Sequence, residues 1–502
     1  MASCWSVAFC GLEPRAVEIQ CQVMDGAAGF AMVGLPDKAV AESKERVRAA
    51  LSALGLSLPN KRVVLNLAPA DLPKEGAHYD LPVAIALLAA LGAIPEDEAS
   101  RVVAMGELAL DGRLVPVGGA LLGAISAAAE GRSFVCPSEC GAEAALAGAG
   151  EVLAPPSLTA LVNHYAGRRP LAAPPPAAAE PPRPARDMAD IKGQEKARRA
   201  LEVAAAGGHN MLLIGPPGVG KSMLAEALPG ILPPLSPAEA LEVSMIRSLK
   251  GRFAETGLAR LRPFEKPHSG ASVASVIGGG RFARPGSISL AHRGVLFLDE
   301  MAEFARPVLD GLRQPMESGE CVIARAQAQA RYPARFQLIG AMNPCRCGHL
   351  ADAGKACSRA PKCGEDYLSK LSGPLLDRID LQVETPPIPA QTLARLPRGE
   401  ASAQVAARVA AAREIQAERW AEYGVGFLNA HADGLALEEA AAMDDEARDL
   451  LARAAQKLAL SPRGMTRVLR LSRTVADLYG EEGVRRPHIA EAVGYRAALS
   501  KW

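Results

Sequence analysis

Residues 211–222, Met-Leu-Leu-Ile-Gly-Pro-Pro-Gly-Val-Gly-Lys-Ser, decide the fold of this chain. The first four form an apolar run that predicts a short buried strand, and a helix is expected from Lys221 onward. The glycines between them allow backbone N–H groups to wrap phosphate oxygens, and the amino end of the helix adds a favourable dipole. The pattern predicts a phosphate-binding loop in which Lys221 reaches the β- and γ-phosphates of a nucleotide and Ser222 ligates Mg²⁺. The alternative is a Gly-Pro turn with an exposed lysine. The expected nucleotide-binding residues are Gly215, Pro216, Pro217, Gly218, Val219, Gly220, Lys221 and Ser222.

A second apolar run, 295–298, ends in two carboxylates, Asp299 and Glu300. Beside a phosphate-binding loop, such a strand end directs Asp299 to the magnesium ion, as a second protein ligand, and Glu300 to the attacking water. Alone, two acids after a strand are a common surface feature. A further buried strand is expected at 336–341. Strands that alternate with helices favour a parallel sheet covered on both faces, and therefore an α/β fold.

Length and composition limit the class of protein in which these motifs lie. A chain of 502 residues has room for about three domains, and 49% apolar with 22% charged residues is ordinary globular composition. The net charge of +1 excludes a uniformly basic coat for nucleic acid but allows a local basic channel. We find no signal peptide in residues 1–25, and the most apolar stretch, 81–95, is too short to cross a bilayer. A cytoplasmic location without membrane attachment is expected.

The clearest domain boundary lies at residues 170–184, where seven prolines predict an extended linker. Before it, strands are expected at 62–67 and 101–105, with helices at 39–54 and 81–91. From about residue 401 the chain becomes Ala-rich and helical. The expected division is an N-terminal α/β domain at 1–168, a linker at 169–187, a nucleotide-binding core at 188–390 and a helical domain at 391–502.

Several longer motifs resemble the YifB/ComM family of AAA+ proteins, often labelled magnesium-chelatase-like. Besides the phosphate loop, they are Gly193-Gln194, Gly207-Gly208-His209-Asn210, Ala291-His-Arg-Gly-Val295 and Ser372-Gly-Pro-Leu-Leu-Asp-Arg-Ile-Asp380. The resemblance covers essentially the whole chain. It implies an AAA+ P-loop core with a helical lid, ATP and Mg²⁺ as cofactors, and assembly of identical chains into a hexameric ring.

The same resemblance implies roles for three further residues. Asn343, at the end of the strand before it, occupies the sensor-1 position, where an amide orients the hydrolytic water; the alternative is an Asn-Pro turn. Arg378 resembles an arginine finger that reaches the γ-phosphate of a neighbouring subunit, against a helix-end salt bridge. Arg463 resembles a sensor-2 arginine of the lid, with Arg467 as a nearby alternative.

Four cysteines lie within nineteen residues: Cys345, Cys347, Cys357 and Cys363. Four thiolates in a loop can bind one Zn²⁺ tetrahedrally, and such a site would be structural because it leaves no open position. Free structural thiols are the alternative. The other cysteines of a long chain of this kind are not expected to form a disulfide framework.

The N-terminal segments 74–80 and 105–119 resemble the proteolytic domain of Lon, which has a ribosomal S5-like α/β fold. In that comparison the nucleophilic serine falls at His78 and the catalytic lysine at Leu121. A Ser–Lys dyad needs both groups, so this mechanism of peptide hydrolysis is expected to be lost. The similar domain of RadA also lacks the dyad, which favours a scaffold or DNA-binding role.

Two basic segments are candidates to face a central pore, an insertion at 251–289 and an expected β-hairpin at 321–336. Basic loops suit a phosphate backbone bound without sequence specificity, although a solvated charged surface is the alternative. Their basic residues are Arg252, Arg260, Arg262, Lys266, His268, Arg281 and Arg284 in the insertion, and Arg325, Arg331 and Arg335 in the hairpin. ComM-type proteins are linked to branch migration during natural transformation. We therefore expect an ATP-driven motor on branched or single-stranded DNA, with a magnesium-chelatase-like remodeller of a protein partner as the alternative and an ATP-dependent protease as the third reading.

Overall fold

The structure is a computed structural model. It describes residues 1–56, 58–148, 150–179, 186–251, 253, 257–280, 283–325, 328–348, 350, 358–423 and 428–496. These residues form two α/β regions, each with its own sheet, and a helical C-terminal region. None of the described helices has the length and apolar character needed to cross a bilayer.

The N-terminal region is built on a seven-stranded sheet with helices packed against it. Its strands are β1 Ala2–Cys10, β2 Glu13–Met24, β3 Gly29–Val33, β4 Arg62–Ala68, β5 Val102–Ala104, β6 Glu107–Leu108, β7 Leu114–Val115, β8 Ser133–Val135 and β9 Val152–Leu153. Its helices are α1 Lys38–Ala53, α2 Asp80–Ala90, α3 Glu96–Ser100, α4 Ala120–Ala129, α5 Ser138–Ala144 and α6 Leu158–Tyr165. The large sheet has the order β3-β4-β2-β1-β5-β8-β9. The four elements expected in this region are confirmed within one or two residues at each end.

Helix α2 is the centre of this region. Its residues from Asp80 to Ala89 are all buried, because the run is apolar on every side and packs between the sheet and α1. The apolar stretch that is too short for a membrane is therefore a core helix.

The described part of the linker runs along the N-terminal region. Residues 170–178 contain no regular secondary structure, as their prolines predict. The N–H of Ala177 donates to the carbonyl of Ala142 at 2.9 Å, and Leu171 packs against the N-terminal core.

The second region contains a five-stranded parallel sheet. The strands of the whole region are β10 Met211–Ile214, β11 Phe264–Glu265, β12 Gly278–Gly279, β13 Arg284–Pro285, β14 Val295–Leu298, β15 Glu320–Arg325, β16 Ala328–Pro333, β17 Gln337–Met342 and β18 Leu381–Glu384. The sheet order is β11-β14-β17-β10-β18, and every pairing within it is parallel. β10, β14 and β17 are buried along their whole length, as expected of strands covered on both faces. The expected strands and the β15–β16 hairpin are confirmed.

Helices surround this sheet and continue into the C-terminal region. They are α7 Glu195–Gly207, α8 Lys221–Ala227, α9 Pro237–Leu249, α10 Val273–Val276, α11 Ser287–Leu290, α12 Arg306–Gly311, α13 Arg313–Ser318, α14 Lys362–Leu368, α15 Gly373–Leu376, α16 Ala390–Arg395, α17 Ser402–Ala421, α18 Gly434–Ala441, α19 Asp445–Lys457, α20 Pro462–Leu478 and α21 Arg486–Gly494. The last five share one hydrophobic core with α7 and the central strands. The C-terminal helices are thus packed onto the same sheet that carries the phosphate loop.

The two α/β regions contact each other through α4 and α9. The N–H of Gly119 donates to the carbonyl of Ser248 at 3.0 Å. Gly119 has a φ of 95°, which strains a residue with a side chain, and a Cβ there would lie 2.6 Å from the ring of Phe9 in β1 and 3.4 Å from Leu249 of α9. Leu12, in the turn between β1 and β2, packs against the core of the second region.

Candidate nucleotide site

The phosphate loop lies at the carboxyl edge of the parallel sheet, between the end of β10 and the start of α8. Gly218 and Gly220 have φ values of 80° and 95°, which glycine adopts without strain. The Nζ of Lys221 donates to the carbonyl oxygens of Gly215 at 2.7 Å and Pro216 at 2.8 Å. The loop therefore closes around a buried ammonium group. Phosphate oxygens can accept hydrogen bonds from this group in place of the two carbonyls.

The electrostatics of Lys221 suit that exchange. Burial lowers the pKa of Lys221 to about 8, while the charges of Asp299 and Glu300 act in the opposite direction. A pKa of about 8 leaves the side chain mainly protonated at neutral pH. A buried cation of this kind has a strong attraction for phosphate.

Ser222 and Asp299 meet at the same edge. The hydroxyl of Ser222 donates to Oδ2 of Asp299 at 2.9 Å, and Oδ1 of Asp299 accepts from the N–H of Glu300 at 3.1 Å. A hydroxyl beside a carboxylate is the oxygen donor set that Mg²⁺ prefers next to nucleotide phosphates. These residues fit a Mg²⁺–nucleotide complex.

Glu300 and Asn343 complete this edge. Glu300 has a φ of 52°, an uncommon value for a residue with a side chain, and it is exposed beside the phosphate loop. Asn343 follows β17, which lies between β10 and β14, and its Oδ1 accepts from Lys221 Nζ at 3.1 Å. The structure thus brings Lys221, Ser222, Asp299 and Asn343 into one cluster.

Arg378 lies at the opposite, amino edge of the sheet. Its carbonyl accepts from the side-chain amide of Asn210 at 3.0 Å, and Asn210 directly precedes β10. Since β10 and β18 are parallel, Arg378 and the phosphate loop are separated by the length of a four-residue strand, about 13 Å. Within one chain, the arginine and the loop face away from each other.

A groove of about 520 Å³ surrounds Arg378 and contains Arg463. The guanidinium of Arg378 pairs with Glu317, while its Nε is buried and has no hydrogen-bond partner among the described residues. Arg463 is exposed, and Arg467 lies 3.5 Å from Asp380. Four arginines line this groove: Arg378, Arg463, Arg467 and Arg470. The structure therefore places the two sequence-predicted arginines together, away from the phosphate loop.

The cysteine group lies directly behind the phosphate loop. The sulfur atoms of Cys345, Cys347 and Cys363 all lie within 4.8 Å of one another, and Cys357 lies outside the described residues. Gly348 packs so closely on Pro217 of the loop that a Cβ would lie 2.7 Å from its Cδ. Three converging sulfurs fit the thiolate ligands that Zn²⁺ takes.

Two of the basic residues expected to face a pore have other partners. Arg262 donates to Glu239 and to the carbonyls of Pro233 and Arg293. The Nζ of Lys266 lies 3.6 Å from Oδ2 of Asp299, in the nucleotide site. Both residues therefore have acidic partners within the chain, and their orientation toward a pore stays a prediction. Arg252 and Arg281 lie outside the described residues.

The hairpin presents its cations differently. Arg331 and Arg335 are exposed and form no ion pair with any described residue. The carbonyl of Arg335 accepts from the N–H of Arg293, which ties the base of the hairpin to the strand before Asp299. The side chain of Arg325 lies outside the described part of the chain.

The structure also reveals residues that sequence reasoning did not single out. Asn210 donates its backbone N–H to Asp380, and its Oδ1 accepts from the N–H of Leu338, so it joins the amino ends of three strands. His209, beside it, contacts Thr474 of α20 at 2.7 Å. Their only signal in the sequence was membership of the Gly-Gly-His-Asn motif.

In the N-terminal region, the two positions compared with a Ser–Lys dyad carry a half-buried histidine and a leucine. Nε2 of His78 donates to the carbonyl of Val7 at 2.9 Å, and burial lowers the pKa of His78 to about 4. Leu121 is fully buried. Neither side chain can act as a serine nucleophile or a lysine base.

A five-stranded parallel sheet in this order, with a phosphate loop after β10 and an acidic pair after β14, is the core of an AAA+ protein, and the family models place it in the magnesium-chelatase group. Three family models match the chain: "Subunit ChlI of Mg-chelatase" over residues 17–140, "Magnesium chelatase, subunit ChlI" over 187–393, and "Magnesium chelatase, subunit ChlI C-terminal" over 399–496.

Full-length relatives narrow the class further. The chain is 42% identical over 509 residues to the competence protein ComM of Haemophilus influenzae, covering 99% of this chain and 98% of that protein. It is 42% identical over 488 residues to YifB of Escherichia coli, covering 97% and 95%. The magnesium-chelatase 38 kDa subunit of Rhodobacter capsulatus is 31% identical over 179 residues, which are 32% of this chain and 51% of that protein. The chain belongs to the ComM/YifB family.

Proposed function

We propose that this chain is an ATP-hydrolysing motor that acts on branched or single-stranded DNA, in branch migration or unwinding during recombination and natural transformation. The observation that carries the proposal is the division of the site into two halves. Lys221, Ser222, Asp299 and Asn343 lie at the carboxyl edge of the sheet, and Arg378 lies at the amino edge. The half at the carboxyl edge provides the groups for binding phosphate and Mg²⁺, and the half at the amino edge provides the arginine.

Each residue then has a role. Lys221 binds the β- and γ-phosphates, and Ser222 and Asp299 hold Mg²⁺, which neutralises charge on the phosphates when bound. Glu300 accepts a proton from the attacking water, and the amide of Asn343 orients that water. Arg378 and Arg463 contact the nucleotide of the neighbouring chain, where they stabilise charge on the transferring γ-phosphoryl group.

A complete site therefore needs two chains, which supports a closed ring of identical subunits. Heterologous contacts of this kind generate a ring when the rotation between subunits closes. We propose a hexamer, in agreement with the AAA+ class, located in the cytoplasm and without membrane attachment.

The case for DNA rests on the β15–β16 hairpin and on the relatives. Arg331 and Arg335 are exposed cations without a described acidic partner, unlike Arg262 and Lys266. Cations of this kind suit a phosphate backbone that is bound through charge alone. The name of the competence protein ComM supports a role in competence.

A second candidate function is remodelling of a protein partner in the manner of a magnesium chelatase. The ChlI family models, which match three segments of the chain, favour it. Proteolysis by a Ser–Lys dyad is the weakest candidate, because His78 and Leu121 occupy the two positions.

One ATPase assay separates the first two candidates. We expect forked DNA to stimulate ATP hydrolysis, and we expect Arg331→Gln with Arg335→Gln to lose the stimulation while keeping the DNA-free rate. Arg306→Gln is the matched control, since Arg306 is an exposed helical arginine with its own partner, Asp310. ATP hydrolysis that ignores forked and single-stranded DNA would favour the remodeller.

We also propose one structural Zn²⁺ per chain, held by Cys345, Cys347, Cys357 and Cys363. Metal analysis of protein purified without chelator should find one zinc atom, and Cys357→Ser or Cys363→Ser should reduce it. Cys10→Ser, a partly buried cysteine of the other region, is the control. An unchanged zinc content in Cys363→Ser would exclude this ligand set.

A further inference from the structure

Lys266 lies in the nucleotide site although it comes from a strand remote from the phosphate loop in sequence. It follows β11 directly, and β11 pairs in parallel with β14, so the carboxyl ends of both strands share one edge. The Nζ of Lys266 is 3.6 Å from Oδ2 of Asp299, the same oxygen that accepts the hydroxyl hydrogen of Ser222. Its ammonium also lies 5.2 Å from the centre of the Phe297 ring.

The order of strands decides which part of a nucleotide Lys266 can meet. The phosphate loop follows β10, and β17, β14 and β11 succeed it across the sheet. A phosphate chain that starts in the loop and extends toward Asp299 therefore presents its terminal phosphate last. Lys266 approaches Asp299 from the far side, beyond β14, and so faces only this outermost group.

The charges around Lys266 support a role beyond a surface ion pair. Its second acidic partner is Glu226 of α8, at 3.4 Å, and Glu226 also pairs with Arg186 at 3.5 Å. Glu226 therefore has a second cationic partner, Arg186. Among the described residues, the cation that pairs with Asp299 is Lys266. The side chain of Lys266 is 41% exposed, which leaves it free to turn from a carboxylate to a phosphate oxygen.

We propose that Lys266 contacts the terminal phosphate of ATP and gives the site its preference for a nucleoside triphosphate over a diphosphate. This inference rests on the proposed nucleotide site and adds a residue to it. Lys221 supplies a cation from within the loop, and Lys266 supplies a second one from the opposite side of the metal ligand Asp299.

The test compares the dissociation constants of ADP and of a non-hydrolysable triphosphate, AMP-PNP, both with Mg²⁺, on the full chain. A charge-assisted hydrogen bond contributes enough that Lys266→Met should weaken AMP-PNP binding about tenfold and leave ADP binding within about twofold. Lys266→Arg keeps the charge and should retain most of the preference. Lys61→Met removes a comparable surface lysine, paired with Asp25 of the N-terminal region, and should change neither constant.

Other outcomes overturn the inference. If Lys266→Met weakens both nucleotides equally, and Glu226→Gln does the same, Lys266 is a structural partner of α8. If Lys266→Met changes neither constant, the contact does not form. Failure of the unmodified chain to bind either nucleotide would reject the nucleotide site itself, whereas normal binding that is lost in Lys221→Ala keeps the site and isolates the question of Lys266.

Discussion

Two bases, the half-buried His78 and the buried Lys221, show how differently the two α/β regions use polar groups. Burial lowers the pKa of both His78 and Lys221, to about 4 and about 8 respectively. At neutral pH His78 is therefore uncharged, and its one hydrogen bond goes to a backbone carbonyl. Lys221 remains mainly charged, partly because Asp299 and Glu300 lie nearby.

The acids of the two regions differ in the same way. Asp80 is completely buried, and its oxygens accept from Arg46 at 2.5 and 2.9 Å and from the N–H of Leu108 at 3.1 Å. Asp299 keeps 32% of its side chain exposed. A polar group whose partners are all internal holds a fold together, whereas one with exchangeable partners can bind a ligand. Substitutions at Arg378, Glu300, Arg46 and His78 test this distinction, in decreasing order of expected effect.

Arg378→Ala should reduce ATP hydrolysis the most while leaving ATP binding nearly normal. An arginine supplied by a neighbouring chain contributes about 10³–10⁵ to the rate of phosphoryl transfer. Steady-state hydrolysis and nucleotide binding measure the two effects separately.

The control is a mixture of Arg378→Ala with Lys221→Ala. In a mixed ring, an interface that joins an intact Lys221 site to an intact Arg378 is complete, so part of the activity should return. Mixtures that co-assemble without any recovery would argue that Arg378 is structural.

Glu300→Gln should bind ATP and hydrolyse it slowly, since a general base contributes about 10²–10⁴ to the rate. ATP should persist at the subunit interfaces, so the variant should favour the assembled ring in size-exclusion chromatography with ATP. Glu303→Gln, three residues further on in the same segment, is the matched control. A parental rate in Glu300→Gln would remove this residue from the proposed mechanism.

Arg46→Met should destabilise the N-terminal region without affecting nucleotide binding. It leaves the carboxylate of Asp80 buried without its cation, which costs about 3–5 kcal/mol. Hydrogen exchange of the β1 and β2 amides should accelerate accordingly. Arg15→Met, which removes the exposed pair with Glu13, should leave exchange unchanged. A loss of nucleotide affinity in Arg46→Met would mean that the two regions are not separable in this way.

The smallest effect concerns pH. Because the folded-state pKa of His78 is about 4 and the ordinary value is 6.5, the unfolded chain binds more protons between these limits. The stability of the N-terminal region therefore falls as the pH is lowered from 6.5 to 4, by up to about 2–3 kcal/mol from this group. In His78→Gln the stability measured by hydrogen exchange should depend less on pH in this window. An unchanged slope would show that folding does not shift the pKa of His78.

The phosphate loop and the central strands could be predicted because their signals are local. Met211–Ile214 and Val295–Leu298 are continuous apolar runs, and the strand–turn–helix context of Lys221 is contained in a dozen residues. The cysteine group is also local in sequence, although which sulfurs converge depends on the fold.

Contacts between elements that are distant in the sequence could not be predicted in the same way. Lys266 reaches Asp299 only because β11 is placed beside β14, and Arg378 meets Arg463 only because α20 packs near the start of β18. Both depend on strand order and helix packing, which periodicity does not encode. A list of basic residues therefore treated Lys266 and Arg331 as equivalent, although Lys266 pairs with Asp299 and Glu226 and Arg331 has no acidic partner among the described residues.

The close approach at Gly119 restricts what evolution can do with the N-terminal region. Two residues after Gly119, Leu121 is fully buried and its N–H donates to Oε1 of Glu143 at 3.3 Å, so a lysine introduced there would have to bury its longer, charged side chain. A serine at position 78 without that lysine would gain no catalytic partner. Neither change is useful alone and one of them is costly, so single substitutions would not assemble a Ser–Lys dyad in this region.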